Sequence, residues 1–183
     1  MSAHSATGAD GADVGGRPAR AVAIVTGGSR GVGRDLARAL GCRGDAVVVV
    51  YLSDQAEAEA VVEEILAAQG AAVTVRADVA DELDVKRLFD EAAAAFGPVH
   101  VVVHAAGRGG SVLYPQAARR LSRGGAIVSV FAGQAVPPDL VRELASRGIT
   151  VHGLAPGLEP PGRDHDVASL LWLLDRWRRG SSS

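Results

Sequence analysis

The chain has one cysteine, Cys42, among its 183 residues. An intramolecular disulfide framework is thereby excluded, and the thiol usage matches a reducing compartment, so the cytoplasm is the expected location. No apolar run approaches the roughly 20 residues that a membrane-spanning helix needs. The N-terminus lacks the charged-then-apolar pattern of a secretory leader. Neither charge dominates: 19 Lys and Arg stand against 21 Asp and Glu, a formal net charge of −2. With no basic stripe, nucleic acid is not an expected partner, and neither is a membrane. Histidines and acids are not spaced as metal ligands; His165 with Asp164 and Asp166 in an expected loop is the nearest approach, and no metal is expected. Aromatic residues make up only 4%, and much of the 48% apolar content is Ala and Val, which suits an α/β fold.

At this length a single domain is expected, over residues 20–178. Residues 1–19, rich in Gly, Ala, Ser and Asp, read as a disordered tail, and 179–183 as a loose end. Between them, short apolar runs alternate with helical spacing. The runs are 21–25, 47–50, 73–75, 101–103, 126–130 and 149–152. Val47-Val48-Val49-Val50 is apolar throughout, as in a strand covered on both faces. Helical stripes are Val32, Leu36, Ala39 and Leu40; then Ala58, Val61, Val62, Ile65 and Leu66; then Val85, Leu88, Phe89, Ala92 and Phe96. Leu140, Val141 and Leu144 mark a short helix, and Val167, Leu170, Leu171 and Leu174 a last one, with Trp177 continuing its stripe. Gly70 is the expected C-cap of the second helix. The rhythm predicts a Rossmann-type, doubly wound parallel sheet of about six strands in three layers.

The first strand runs directly into Thr26-Gly27-Gly28-Ser29-Arg30-Gly31-Val32-Gly33 and a helix. Strand, glycine turn and helix place a diphosphate on a helix N-terminus, where N–H groups and the dipole favour negative charge. Gly27 permits the tight turn, Gly31 lets backbone approach phosphate, and Gly33 lets helix and strand pack closely. The segment is built to hold a nucleotide.

A glycine turn alone is a weak signal, but it has company. Asp78-Val79 follows the third strand, His104-Ala105-Ala106-Gly107 closes the fourth, and Gly148-Ile149-Thr150-Val151-His152 leads to Pro156-Gly157. On these motifs the chain resembles the short-chain dehydrogenase/reductase family over most of residues 20–175, and His-Ala-Ala-Gly resembles the ketoreductase domains of polyketide synthases. The resemblance implies a nicotinamide cofactor held by Gly27, Ser29, Arg30, Gly31, Val32 and Gly33, by Tyr51 and Ser53, by Asp78 and Val79, by Ala105, Ala106 and Gly107, and by Pro156 and Gly157. It implies that the Asp78 carboxylate touches adenine. NADP(H) is favoured over NAD(H), because no acid ends the second strand before Asp54, and Arg30 could meet a 2′-phosphate. The alternative for Arg30 is a solvated loop charge.

The family's proton donor is a tyrosine assisted by a lysine four residues on, a spacing that stacks both on one helix face. Tyr51 is followed at that spacing by Gln55 and Tyr114 by Ala118; the one lysine is Lys86. No such pair exists. Relative to the family, the helix around Val112–Ala118 is short at its front, and the one around Leu140 lacks its Tyr-Lys half. Leu158-Glu159-Pro160-Pro161 stands where the carboxamide-holding threonine belongs. Ser129 takes the place of the substrate-binding serine in one alignment, Val130 in the other. His104 could serve as acid or base or could only hydrogen-bond the backbone. His100, His152 and Tyr114 read as structural. Ser129 and His104 are thus the catalytic candidates.

Three functions remain open. They are a carbonyl reductase or alcohol dehydrogenase with weak or rerouted catalysis, a silent cofactor-binding subunit of an active relative, and a cyclase or dehydratase using His104. The partner is a small-molecule substrate or none, with a homo- or hetero-oligomer expected if the shortened helices bare apolar surface near Leu113, Leu140 and Trp177.

Overall fold

The computed structural model describes residues 21–130 and 136–153, the strand residues Asp13, Val14, Arg17 and Pro18, and Ala168, Trp172 and Asp175. Strands β1 (Asp13–Val14) and β2 (Arg17–Pro18) pair antiparallel. The body follows as β3 (Val22–Thr26), α1 (Gly31–Cys42), β4 (Ala46–Tyr51), α2 (Gln55–Ala67), β5 (Ala71–Arg76), α3 (Glu82–Phe96), β6 (Val101–His104), α4 (Gly110–Arg120), β7 (Ala126–Ser129), α5 (Pro138–Ser146) and β8 (Thr150–Gly153). Six strands form one parallel sheet in the order β5-β4-β3-β6-β7-β8. This is the expected doubly wound Rossmann-type α/β fold. Its order reverses between β3 and β6, so the ligand crevice lies beyond the C-terminal ends of those strands.

Strand side chains alternate between two cores. Val22, Ile24, Val48, Val102 and Ile127 face α3, α4 and α5; Ala23, Val25, Val47, Val101 and Val128 face α1 and α2. Valine-rich strands with both faces covered need no polar alternation, which is why 47–50 is uninterrupted.

Several local expectations change. Ala37, not Ala39, completes the buried stripe of α1, and Leu66 on α2 is exposed. The end of α2 does not use Gly70 as its cap: Ala68 is the C-cap, and Gln69 takes the left-handed turn at φ 63°. Gly70 serves packing instead, since a Cβ there would lie 2.6 Å from Ile65 Cγ2. Leu113 does not form bare surface; it is buried against the β3–β6 core because α4 lies between α3 and α5. Leu140 is half-buried on the same core, and Trp177 lies outside the described residues, as do Val167, Leu170, Leu171 and Leu174. No described helix is long and apolar enough to cross a membrane.

Candidate functional site

The glycine turn is built by contacts that only glycine permits. Gly27 has φ +66°, and a Cβ on it would lie 2.9 Å from the Ala105 carbonyl oxygen. A Cβ on Gly33 would lie 2.2 Å from the Gly27 carbonyl oxygen, so the first turn of α1 sits directly against the loop. At Gly31 (φ +53°), by contrast, a Cβ would meet nothing within 4 Å. Backbone is thus packed tightly behind the turn and open space lies in front of it. The first turn of α1 contains no acid, and no side chain caps it. These features fit a diphosphate: donors and dipole face an open approach, without a carboxylate to repel the ligand. Ala105 and Ala106 form part of the wall of this cradle, and Gly107 is exposed beside it.

At the end of β4, the Arg30 guanidinium is already engaged. Nη2 pairs with Asp54, and Nε lies 2.9 Å from Glu57 Oε2. Arg30 is therefore ion-paired with two carboxylates while its side chain stays exposed. Ser53 Oγ donates to Asp54 at 3.0 Å, and Arg76 Nε donates to the Leu52 carbonyl at 3.1 Å. Tyr51, half-buried, closes the strand.

Further along the crevice, Asp78 begins the β5–α3 loop. Its backbone N–H donates to Asp84 Oδ2 at 2.8 Å, and its own Oδ1 accepts from Ala80 N–H at 3.0 Å. The Asp78 N–H, followed by the Arg87 guanidinium, holds the Asp84 carboxyl below the usual carboxylate range. Val79 is buried beneath Gly109, whose Cβ would lie 2.7 Å from the Val79 backbone. That close approach brings α4 to the loop only a few residues beyond Gly107. Arg108 lies 3.8 Å from Asp78 Oδ2 and is exposed.

The catalytic candidates converge at the switch point. Register places Thr26 beside His104 and His104 beside Ser129. All three share the strand face of Val22, Val102 and Ile127, so they form a polar row under α4. Thr26 Oγ1 and His104 Nδ1 share a hydrogen bond at 2.7 Å. Tyr114, on the inward face of α4, donates its hydroxyl to Ser129 Oγ at 2.9 Å, and its ring meets His104 edge-on at 5.3 Å. All four are buried. Burial pushes the Tyr114 phenol up, partly offset by the Ser129 hydrogen bond.

Sequence reasoning set Tyr114 aside as packing and did not nominate Thr26. The available signal was parity. Thr26 lies two residues beyond Ile24 on the same strand face, and Tyr114 lies with Leu113, Ala117 and Ala118 on the buried stripe of α4. Of the other histidines, His100 Nδ1 accepts the Val22 N–H at 3.2 Å, as its structural reading requires. Pro156 and Gly157 lie outside the described residues, as do Phe131 to Ala135. No metal-holding cluster occurs among the described residues.

Residues 21–124 match the short chain dehydrogenase family. A short chain dehydrogenase of Passalora fulva (claC) is 30% identical over 190 residues, covering 80% of this chain and 71% of that protein. A 3-oxoacyl-[acyl-carrier-protein] reductase, FabG, of Staphylococcus aureus is 34% identical over 181 residues, covering 74% and 73%. Among solved structures, a short chain dehydrogenase of Burkholderia cenocepacia in complex with NADP superimposes with a TM-score of 0.69 at 27% identity, covering 82% of this chain and 89% of that one.

Proposed function

The chain belongs to the short-chain dehydrogenase/reductase family of oxidoreductases, and from that premise we propose that it binds NADP(H) in preference to NAD(H) and reduces carbonyl groups weakly, through a rerouted proton donor. The observation that carries the binding half is the cradle: backbone packed behind Gly27 and Gly33, open space at Gly31, and an uncapped helix N-terminus. Gly27 to Gly33 would hold the diphosphate, Asp78 the adenine end, and Arg30 with Ser53 the 2′-phosphate. When bound, the cofactor supplies the hydride. The NADP complex of the Burkholderia relative supports the preference by analogy.

The catalytic half rests on the absence of a tyrosine–lysine pair. Ser129, oriented by Tyr114, is the hydroxyl nearest the crevice end of β7. Neither it nor Tyr114 has a lysine beside it; Lys86 pairs with Glu82 on α3. The raised Tyr114 phenol is a poor acid at neutral pH. Losing a positioned general acid costs about 10²–10⁴-fold in rate, so small ketones should turn over that far below an ordinary value on the order of 10 per second. Burial of Ser129, His104 and Tyr114 also favours a second reading, a cofactor-binding subunit without turnover of its own. A cyclase or dehydratase role for His104 would have to run through Nε2, since its Nδ1 is engaged with Thr26 and the ring is buried.

Thermal shift with each nucleotide at millimolar concentration tests the binding half, and no stabilisation by either would overturn it. Nicotinamide oxidation against a ketone panel tests the other. Ordinary turnover would mean that a full-strength donor exists, and complete silence would favour the subunit reading, which co-purification with an active relative then checks.

A further inference from the structure

In doubly wound sheets, the residue that reads the adenosine ribose stands at the end of the second strand, about 20 residues beyond the glycine turn. An acid there accepts from a 2′-hydroxyl, whereas an arginine nearby accommodates a 2′-phosphate. In this chain the nearest acid, Asp54, lies three residues beyond β4, and it is bonded to an arginine of the glycine turn. Asp54 and Glu57, at the start of α2, both grip Arg30. Two carboxylates against one guanidinium leave the group one negative charge in excess.

We propose that Asp54 and Glu57 are specificity-determining residues: they act as an internal counter-anion that competes with the nucleotide's 2′-phosphate for Arg30, and so set the ratio of NADP(H) to NAD(H) affinity. The inference rests on the cofactor reading above. A 2′-phosphate has to take Arg30 from two carboxylates and then bear their charge. A 2′-hydroxyl finds an acceptor in Asp54 without separating the pair. The ion pairs are exposed, with side-chain accessibilities of 62% for Arg30, 30% for Asp54 and 49% for Glu57. Such pairs are weak enough for a bidentate phosphate contact to displace them. They are strong enough to trim the preference. Wild-type discrimination is accordingly modest.

Titration calorimetry with NADP⁺ and NAD⁺, and with adenosine 2′,5′-bisphosphate and 5′-ADP as fragment probes, tests this without any turnover. Asp54→Asn with Glu57→Gln should raise the NADP⁺ preference about five- to tenfold, through tighter NADP⁺ binding, the scale of two exposed ion pairs released. The bisphosphate should gain in the same proportion and 5′-ADP should not. In an Arg30→Ala background the same pair of changes should raise the ratio by clearly less, because only the direct repulsion of the phosphate is then relieved. The side chain of Asp54 makes no capping hydrogen bond to α2, so the substitutions leave the helix start intact. Thermal denaturation checks this, and Glu57→Gln alone, with a smaller rise, serves if the double variant does not fold. An unchanged ratio, a ratio that rises only because NAD⁺ weakens, or a rise just as large without Arg30 overturns the proposal while the cofactor reading stands. A wild-type chain that binds neither nucleotide overturns both.

Discussion

Residues 21–107 and residues 110–153 share one sheet but are finished differently. In the first part β3 is buried along its whole length, and the β4–β5 edge is covered by helices of 12 and 13 residues. Its candidate cradle is made of backbone, shaped by Gly27 and Gly33, where a Cβ would meet backbone atoms. In the second part the strands have four residues each, and β8 is at most half-buried. The nine-residue α5 buries Leu144 alone. On the proposed function, the chemistry there depends on side chains that long helices would deliver, and α4 and α5 have 11 and nine residues. On that same reading, the difference makes cofactor binding separable from catalysis: the backbone cradle is complete where α4 and α5 are short.

The harshest way to break that comparison is to damage the cradle. Gly33→Ala forces a Cβ against the Gly27 carbonyl. Relief requires α1 to move away from β3, costing about 1–3 kcal/mol as overpacking does. Nucleotide binding should disappear altogether, since the amides that face the diphosphate move with the helix. Gly31→Asp separates the two effects. No atom crowds that position, so the loss there comes from added negative charge and a strained φ, and melting should change far less than affinity. Calorimetry and thermal melting on both variants provide the check. Retained affinity in Gly33→Ala would mean that the close approach is not what shapes the site.

These contrasts also explain what was legible in the sequence. The six strands, their parallel order and the roles of Gly27 and Gly33 could be read because each rests on local rules: apolar runs, helical spacing and a turn that demands positive φ. The engagement of Arg30 was not legible. Asp54 and Glu57 lie 24 and 27 positions away, and only the docking of α2 beside α1 brings them to it. For the packed Tyr114, the hydrogen bond was not legible for a related reason. Its place on the stripe of α4 correctly signals burial, but which polar atom meets it depends on β7 and β6 lying in register beneath. Leu113 was expected at a bare surface because a shortened helix suggests exposed sheet; α4 in fact packs against both α3 and α5.

Within the second part, Tyr114→Phe sharpens the comparison by removing one oxygen. The ring and its edge contact with His104 remain, and the Ser129 hydroxyl loses a donor. The net cost of one such hydrogen bond is about 1 kcal/mol, or about 2–4 °C in melting temperature for a domain of this size. Nucleotide affinity should not move, because the cradle lies on the other side of the switch point. If affinity falls together with stability, the two parts are coupled and their separability fails. If turnover falls more than melting predicts, Tyr114 positions Ser129 for the reaction.

The smallest effect lies at the N-terminal end of the central strands β3 and β6, opposite the crevice. His100 precedes β6, and its Nδ1 accepts the N–H of Val22 at 3.2 Å. A proton on Nδ1 would remove that acceptor. Burial pushes the His100 imidazole below its usual pKa of 6.5, with Asp45 pulling partly the other way. The unfolded chain therefore takes up this proton at higher pH than the folded one. Above about pH 6.5 neither state carries it, and the contribution of the neutral ring is fully present. As pH falls below that value the unfolded state binds more protons, so stability drops until the folded ring also titrates. Melting temperature should fall measurably between pH 7 and pH 5 in the wild type. In His100→Gln, whose amide oxygen can accept from Val22 but does not titrate, the fall should be shallower, and the difference between the two curves isolates this residue. Identical curves would mean that the ring keeps its ordinary pKa in the fold, and that the β3–β6 junction is held by the backbone ladder alone.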